Sequence, residues 1–450
     1  MQPPENLRLT VIITRQSPHF SSVVWIETTK GITMSEKPTP STPISRRSFV
    51  KGTAALAAAS TFTIVKPQSV RGSQANSMVE IGWVGCGGQG TRDASLLEAT
   101  KGAKIVAVAD YFQDQTDKAR TKFQVDAKRA HVGVDAYKAV INSDVDAVLL
   151  VTPPGFRPEH FKAAVNAKKH IFAEKPLAVD VSGCRSVAAD GEKAKAQNLS
   201  VVVGLQRHYS KAYRKCKELI DGGAIGDVIM THSAWDTDEI WKDRRGKRAD
   251  WPSQMDYEVR YWYFFKWLSG DHIVEQSIHN IDVVSWMLNA HPTKASGIGG
   301  RYIKRDIGNI WDHFNIAYEY PNGVLANHTC VQIDGVRPDV SETIRGTKGT
   351  FTTTAGKGGT GGARIEGVRG RKDPETPVIY KYEGTDDKHY DQEAEAFVKS
   401  VKGEGEHRDD TKYGVESTFT TILGREAAYQ GGTITWDKLW NSGDKLSFKG

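Results

Sequence analysis

The stretch VEIGWVGCGGQGTRDASLLEA, residues 79–99, constrains this chain more than any other. Val79 opens an apolar run at strand spacing, Gly85, Gly87 and Gly90 follow in the G-x-G-x-x-G pattern, and a helical pattern takes over. Each glycine has its own task in such a turn. Gly85 permits the tight reversal, Gly87 lets a pyrophosphate approach the backbone, and Gly90 lets helix and strand pack closely. Gly88 and Gln89 complete the loop, where a helix N-terminus offers free N–H groups to phosphate. The next apolar run, KIVAVAD, ends at Asp110, where an acid accepts hydrogen bonds from the hydroxyls of an adenosine ribose. Tyr111 and Phe112 come next, with no arginine to offset a 2′-phosphate, so the pattern favours NAD over NADP.

Downstream, DVDAVLLVTPP reads as a buried strand ending at Thr152, Pro153 and Pro154, followed by a helix containing His160 and then the strand HIFAE. Strands alternating with helices imply right-handed βαβ units and a parallel sheet. Ligands of such sheets bind beyond the carboxyl ends of the strands, where the turns Thr152–Pro154 and Glu174–Pro176 both fall.

The parallel pattern stops after LSVVVGLQRHYS. From GDVIMTHSAW onward, strand signals follow one another, with PNG at 321–323 marking a hairpin, while DQEAEAFVKSV and VESTFTTILGREAAYQ are helical. The expected fold class is therefore α/β plus α+β: a Rossmann domain over residues 78–205, then a domain with a largely antiparallel open sheet over 206–450. A chain of 450 residues with 39% hydrophobic content suits two such cores. The glycine-rich interval 357–371 reads as a loop.

Residues 1–77 are set apart as an extension absent from the mature protein. SRRSFVK at 45–51, followed by GTAALAAASTFTIV, resembles a twin-arginine export signal, and the apolar stretch is too short and small-residued to be a dependable membrane span. Export through that machinery carries folded proteins, which implies a periplasmic protein that takes its cofactor before leaving. The net charge of +6 is dispersed and does not call for a nucleic-acid partner. The four cysteines, at 86, 184, 216 and 330, lack both metal-site spacing and disulfide density.

GCGGQG, the VTPP turn with His160 beyond it, and AEKPLAVD together resemble the Gfo/Idh/MocA oxidoreductase family, which includes sugar and polyol dehydrogenases. The resemblance implies that Lys175 stands where substrate and cofactor meet, with Glu174 positioning the lysine or the cofactor. It matches His279 to the family's proton-transfer histidine. The aspartate usual four residues earlier is replaced by Glu275 in this chain. Asp282 matches an acid that holds the helix or binds substrate, and Glu275, His279 and Asp282 would share one helical face. Arg207, His208 and Tyr209 fall where the family lines its substrate pocket, and Trp235 is a further candidate. His272, Glu275 and His279 have ligand-like spacing, but the resemblance accounts for His279 without a metal, and none is expected.

The basic run 242–248 reads as a lid or rim over the active site or as solvated surface, and the aromatic cluster 257–267, amphipathic if helical, reads as core, a subunit interface or a platform for sugar rings. The expected activity is hydride transfer to or from a secondary alcohol of a sugar, polyol or glycoside, with NAD tightly held and a homodimer or homotetramer implied. Two alternatives remain open: a glycoside hydrolase working by oxidation, elimination, hydration and reduction, and a non-catalytic, cofactor-loaded sugar-binding protein.

Overall fold

A computed structural model describes residues 78–449 apart from 245, 304–305, 355–360, 370–374 and 385–387; the extension and its twin-arginine segment lie outside the described residues. The first sheet is parallel and six-stranded: β1 (Val79–Val84), β2 (Ala103–Asp110), β3 (Ala130–Val132), β4 (Ala147–Leu150), β5 (His170–Ala173) and β6 (Val201–Val203), in the order β3-β2-β1-β4-β5-β6. All four residues of β4 and all three of β6 are buried, as continuous apolar strands covered by helices on both faces should be. The strand order reverses between β1 and β4, which opens a crevice at their carboxyl ends.

The second sheet has nine strands. It comprises β7 (Val228–Thr237), β8 (Lys294–Gly300), β9 (His313–Glu319), β10 (Leu325–Gln332), β11 (Asp339–Gly346), β12 (Gly349–Thr354), β13 (Gly361–Gly367), β14 (Val378–Lys381) and β15 (Thr433–Thr435). Their order is β14-β13-β12-β11-β7-β10-β9-β8-β15, antiparallel throughout except for the β7–β10 pair. In β9, Phe314, Ile316 and Tyr318 are buried while Asn315 and Ala317 between them are exposed, the alternation of a sheet covered on one face. Helices Ile278–Leu288 and Thr411–Gln430 pack against this sheet, and the latter also packs on helix Val181–Ala196 of the first layer.

The chain does not leave its first half behind. Helix His389–Lys402 packs onto helix Gly88–Ala99, and Ala394, Phe397 and Val398 join a core cluster with Trp83, Leu97 and Phe172. The Phe172 and Phe397 rings meet edge to face at 5.6 Å. The four cysteines are separate and buried.

Two local expectations need correction. The interval 357–371 is not wholly a loop: Gly361–Gly367 is β13, paired with β12, because Ala363 and Ile365 point into the core at strand spacing, a pattern the surrounding glycines obscure. Nor do Glu275, His279 and Asp282 lie on one helix. Glu275 ends a short helix, His272–Glu275, and a break at Gln276–Ser277 precedes helix Ile278–Leu288.

Candidate active site

The glycine turn after β1 is built as its sequence suggests. Gly85 has φ +96°, and a Cβ there would lie 2.5 Å from the backbone of Val151 and Thr152. At Gly90 a Cβ would lie 2.3 Å from the Gly85 carbonyl oxygen, so helix and strand touch there. Added Cβ atoms at Gly87 and Gly88 would meet nothing within 4 Å, and both residues face a cavity of about 370 Å³. Asp110 borders the same cavity, its carboxylate accepting the N–H groups of Cys86 at 2.7 Å and Phe112 at 2.8 Å. Burial raises its proton affinity, and those two donors oppose the shift. An open glycine cradle with an acid at its rim fits a dinucleotide's pyrophosphate and ribose.

Thr152, Pro153 and His160 continue the wall of the cavity, whereas Pro154 does not line it and instead begins the turn into the next helix. His160 Nδ1 lies 3.1 Å from Thr152 Oγ1, and its ring is layered between Tyr137 and Phe156. Burial, with Arg157 adding to it, lowers its pKa to about 3, so the ring is neutral. Gln89 turns from the cavity and donates to Asp93 at 2.8 Å and to Glu174 at 3.2 Å. Glu174 is buried against Gly204, and its carboxylate also accepts the Lys175 N–H at 3.1 Å.

Lys175 follows β5. Its Nζ donates to Glu275 Oε1 and to the Glu275 carbonyl oxygen, both at 2.9 Å. The two side chains are only 11% and 9% exposed, so the pair is shielded and strongly oriented. The Glu275 carboxylate is taken by Lys175 and by Gln276, not by the imidazole of His279. His279 is buried with its ring inclined 27° to that of Trp235, centroids 5.8 Å apart, and its Nδ1 has no partner among the described residues. Burial, reinforced by the charges of Lys175 and Arg207, holds its pKa well below the usual histidine value. A neutral imidazole next to a fixed ammonium can accept a proton while the ammonium steadies an oxygen.

The other sequence-selected side chains are engaged inside the protein. Arg207 donates to the His279 carbonyl at 3.0 Å and to the Glu342 carboxylate, which also accepts Asn280 at 2.6 Å and Tyr213 at 3.0 Å. Arg207 thereby holds the turn that carries His279. His208 is sandwiched between the rings of Trp286 at 4.1 Å and Tyr413 at 4.3 Å, and its Nε2 lies 2.9 Å from Asp282 Oδ2. Asp282 also accepts Ser417 Oγ at 2.7 Å, and Tyr209 donates to Asp410 at 2.6 Å. His272 turns toward Phe314, with ring centroids 5.2 Å apart.

Sequence reasoning missed two contributors. Arg157, 2% exposed, donates to the carbonyls of Thr152 and Glu174 and so clamps the two strand-end turns together. Its only signal was a position in the first turn of the helix after VTPP. Tyr390, near the start of helix His389–Lys402, accepts Gln206 at 2.9 Å and lies under the Arg92 guanidinium at 3.6 Å; nothing local in a segment so remote marks it.

The aromatic segment lines the cavity that holds the glycine turn. Helix Gln254–Arg260 and the turn Trp262–Phe264 place Val259, Arg260, Tyr261, Trp262 and Phe264 on the cavity wall facing Gly85 and Asp110. It covers the nucleotide cleft, and Gly155 of the first half is tied to it through the Leu268 carbonyl at 2.9 Å.

These features define a class: a dinucleotide-binding protein with a parallel Rossmann sheet and a second, largely antiparallel sheet. Residues 79–204 match the oxidoreductase family with an NAD-binding Rossmann fold, 213–352 match the GFO/IDH/MocA C-terminal domain, and 43–63 match the twin-arginine translocation signal. The chain belongs to the Gfo/Idh/MocA oxidoreductase family, uses a cofactor of NAD type and carries the signal for export to the periplasm. An inositol 2-dehydrogenase of Azotobacter vinelandii is 31% identical over 246 residues, 54% of this chain; the chain thus spans 64% of that relative, just under two thirds. An aldose-aldose oxidoreductase of Caulobacter crescentus shares the fold at TM-score 0.62 and 17% identity, with 80% of this chain and 99% of the other covered. A scyllo-inositol dehydrogenase of Lactobacillus casei does so at TM-score 0.59 and 21% identity, with 80% and 98% covered. Among the described residues no helix is long and apolar enough to cross a membrane.

Proposed function

We propose that the protein is an exported NAD-dependent oxidoreductase acting on a secondary alcohol of a sugar, polyol or glycoside. The observation that carries this reading is the buried Lys175–Glu275 pair beside a neutral His279; Lys175 is next in sequence to Glu174, whose carbonyl Arg157 ties to that of Thr152 on the cavity wall. The bound dinucleotide supplies the hydride acceptor or donor. In the oxidative direction Lys175 Nζ, oriented by Glu275, hydrogen-bonds the substrate oxygen, and a ring nitrogen of His279 takes the hydroxyl proton as the carbonyl forms. Trp235 offers a flat apolar face beside His279, suited to the C–H side of a sugar ring. Relatives named for inositol and aldose substrates support a polyhydroxylated substrate class.

The cofactor in this reading is NAD, held through turnover and recycled by a second substrate, since an exported protein has no nicotinamide pool to draw on. Asp110 supports NAD over NADP, because the nearby Arg260 is committed to Asp114. A homodimer or homotetramer is proposed to form through the outer face of the second sheet, which exposes Ile298, Leu325 and Met230; light scattering returning a monomer would remove that part.

The test is nicotinamide absorbance of the purified holoprotein during addition of inositols, aldoses and aryl glycosides. Reduction by substrate should fall at least about 100-fold in Lys175→Met and in His279→Asn. Unchanged reduction in both variants would sink the assignment, and aglycone release without net oxidation would replace it with the glycoside hydrolase.

A further inference from the structure

We propose that residues Trp251–Phe264, with Trp241 beside them, are a clasp over the adenosine half of the bound dinucleotide, fastened by Asp256 and Arg260, and that this clasp governs cofactor release. The proposal rests on the reading of the site as an NAD-dependent oxidoreductase. It adds binding determinants from the second half of the chain to a nucleotide site otherwise made by the first.

Location comes first. Trp241, Arg260, Tyr261 and Trp262 line the same cavity as Gly85 and Asp110. Asp110 marks the ribose end of the cleft, so the segment covers the adenosine rather than the site of hydride transfer. A cavity walled by aromatic rings matches the flat, polarisable faces of a purine.

The fastening is equally local. All of its partners fall within four residues of Asp110. Tyr111 donates its hydroxyl to Asp256 Oδ1 at 2.9 Å. Arg260 forms a two-pronged contact with Asp114, at 2.7 and 3.2 Å, and its guanidinium lies 3.9 Å from the centre of the Phe112 ring and 5.0 Å from that of Trp251. Asp114 is 45% exposed, so the ion pair alone would be weak, but cation–π contact with the two rings adds to it. The hydrogen bonds from Arg260 help bring the Asp114 carboxyl down to about 2, so the tie persists across ordinary pH.

The clasp is also preformed. Ser253 caps helix Gln254–Arg260 by accepting the Asp256 N–H at 3.0 Å, and its hydroxyl donates to Asp256 Oδ2 at 2.6 Å. Asp256 is thus aimed at Tyr111 by its own helix. In the proposed clasp the nucleotide leaves as this segment separates from residues 111–114, so release should follow the strength of those ties.

The experiment uses the full folded protein loaded with NADH. Loss of bound-NADH fluorescence is followed after adding excess NAD, and the Kd is measured by calorimetry, for wild type, Tyr111→Phe, Asp256→Asn and Arg260→Met, each checked for an intact thermal transition. Release faster by about tenfold in the variants, with Kd raised in step, supports the clasp. Tyr111→Phe removes a single hydroxyl and keeps the test alive if a charge substitution unfolds the protein. Release and Kd within twofold of wild type in the folded variants overturn the clasp, whether or not wild type retains its cofactor. Rapid release from wild type combined with a raised Kd in the variants overturns cofactor retention and leaves the clasp standing.

Discussion

The Lys175–Glu275 pair is costly to break from one side. In Glu275→Gln the buried ammonium loses its hydrogen-bonded carboxylate and keeps only the Glu275 carbonyl and the field of Glu174, a change expected to cost about 3 kcal/mol. Lys175→Met/Glu275→Gln should recover much of that loss, and a denaturant cycle in which the two single losses simply add would show the residues to be uncoupled. His328 offers a residue-scale test away from the site. It is buried, hydrogen-bonded to Ser233 at 2.8 Å, and burial, with His232 adding to it, lowers its pKa to about 3. Between that value and about 6.5 the unfolded chain binds a proton that the folded chain refuses, so acidification through 6.5 lowers stability. Relative to His328→Asn, wild type should therefore lose about 1.4 kcal/mol per pH unit as pH falls from 6 to 5; a flat difference in denaturation midpoints would contradict the burial argument. Roles at this scale were only partly legible. Glycine and aspartate in the first turn act through backbone geometry that a short motif encodes, whereas the internal engagement of Arg207 and His208 depends on Glu342 and Tyr413, far away in sequence.

At the scale of elements, the glycine turn separates two kinds of constraint. Gly90→Ala would press a methyl against the Gly85 carbonyl and the Trp83 indole, so it should destabilise β1 and its helix as an overpacked core does, by about 1–3 kcal/mol. Gly88→Ala meets open space, so it should leave the thermal midpoint nearly unchanged while raising the Kd for NAD. Equal losses of stability in both variants would refute the distinction. Strands with period-two burial, such as β9, could be read from sequence, but β8, KASGIGG, could not, since its glycines carry no pattern and neighbouring β9 supplies its pairing. The helix break at Gln276–Ser277 was hidden for another reason. The residues on both sides are compatible with helix, and the Lys175 bond to the Glu275 carbonyl is a tertiary contact that periodicity cannot report.

For the whole molecule, the main feature invisible to local pattern is the return of the chain. Phe397 is fully buried among residues of the first sheet, and Phe397→Ala should cost about 3–5 kcal/mol. It should therefore disturb NAD binding although it lies some 220 residues beyond Lys175 in sequence. Retained stability and unaltered NAD affinity in that variant would mean that the helix is an ornament on the first core. The same return sets an order of events during synthesis. The export address is encoded in residues 43–63, while the helix that completes the nucleotide-binding core begins at His389. A ribosome-bound chain halted before residue 389 should accordingly bind no NAD, where the finished chain does. The label for departure is thus legible on the nascent chain long before its cargo is fit to travel, and the cell must hold back the one until the other is ready.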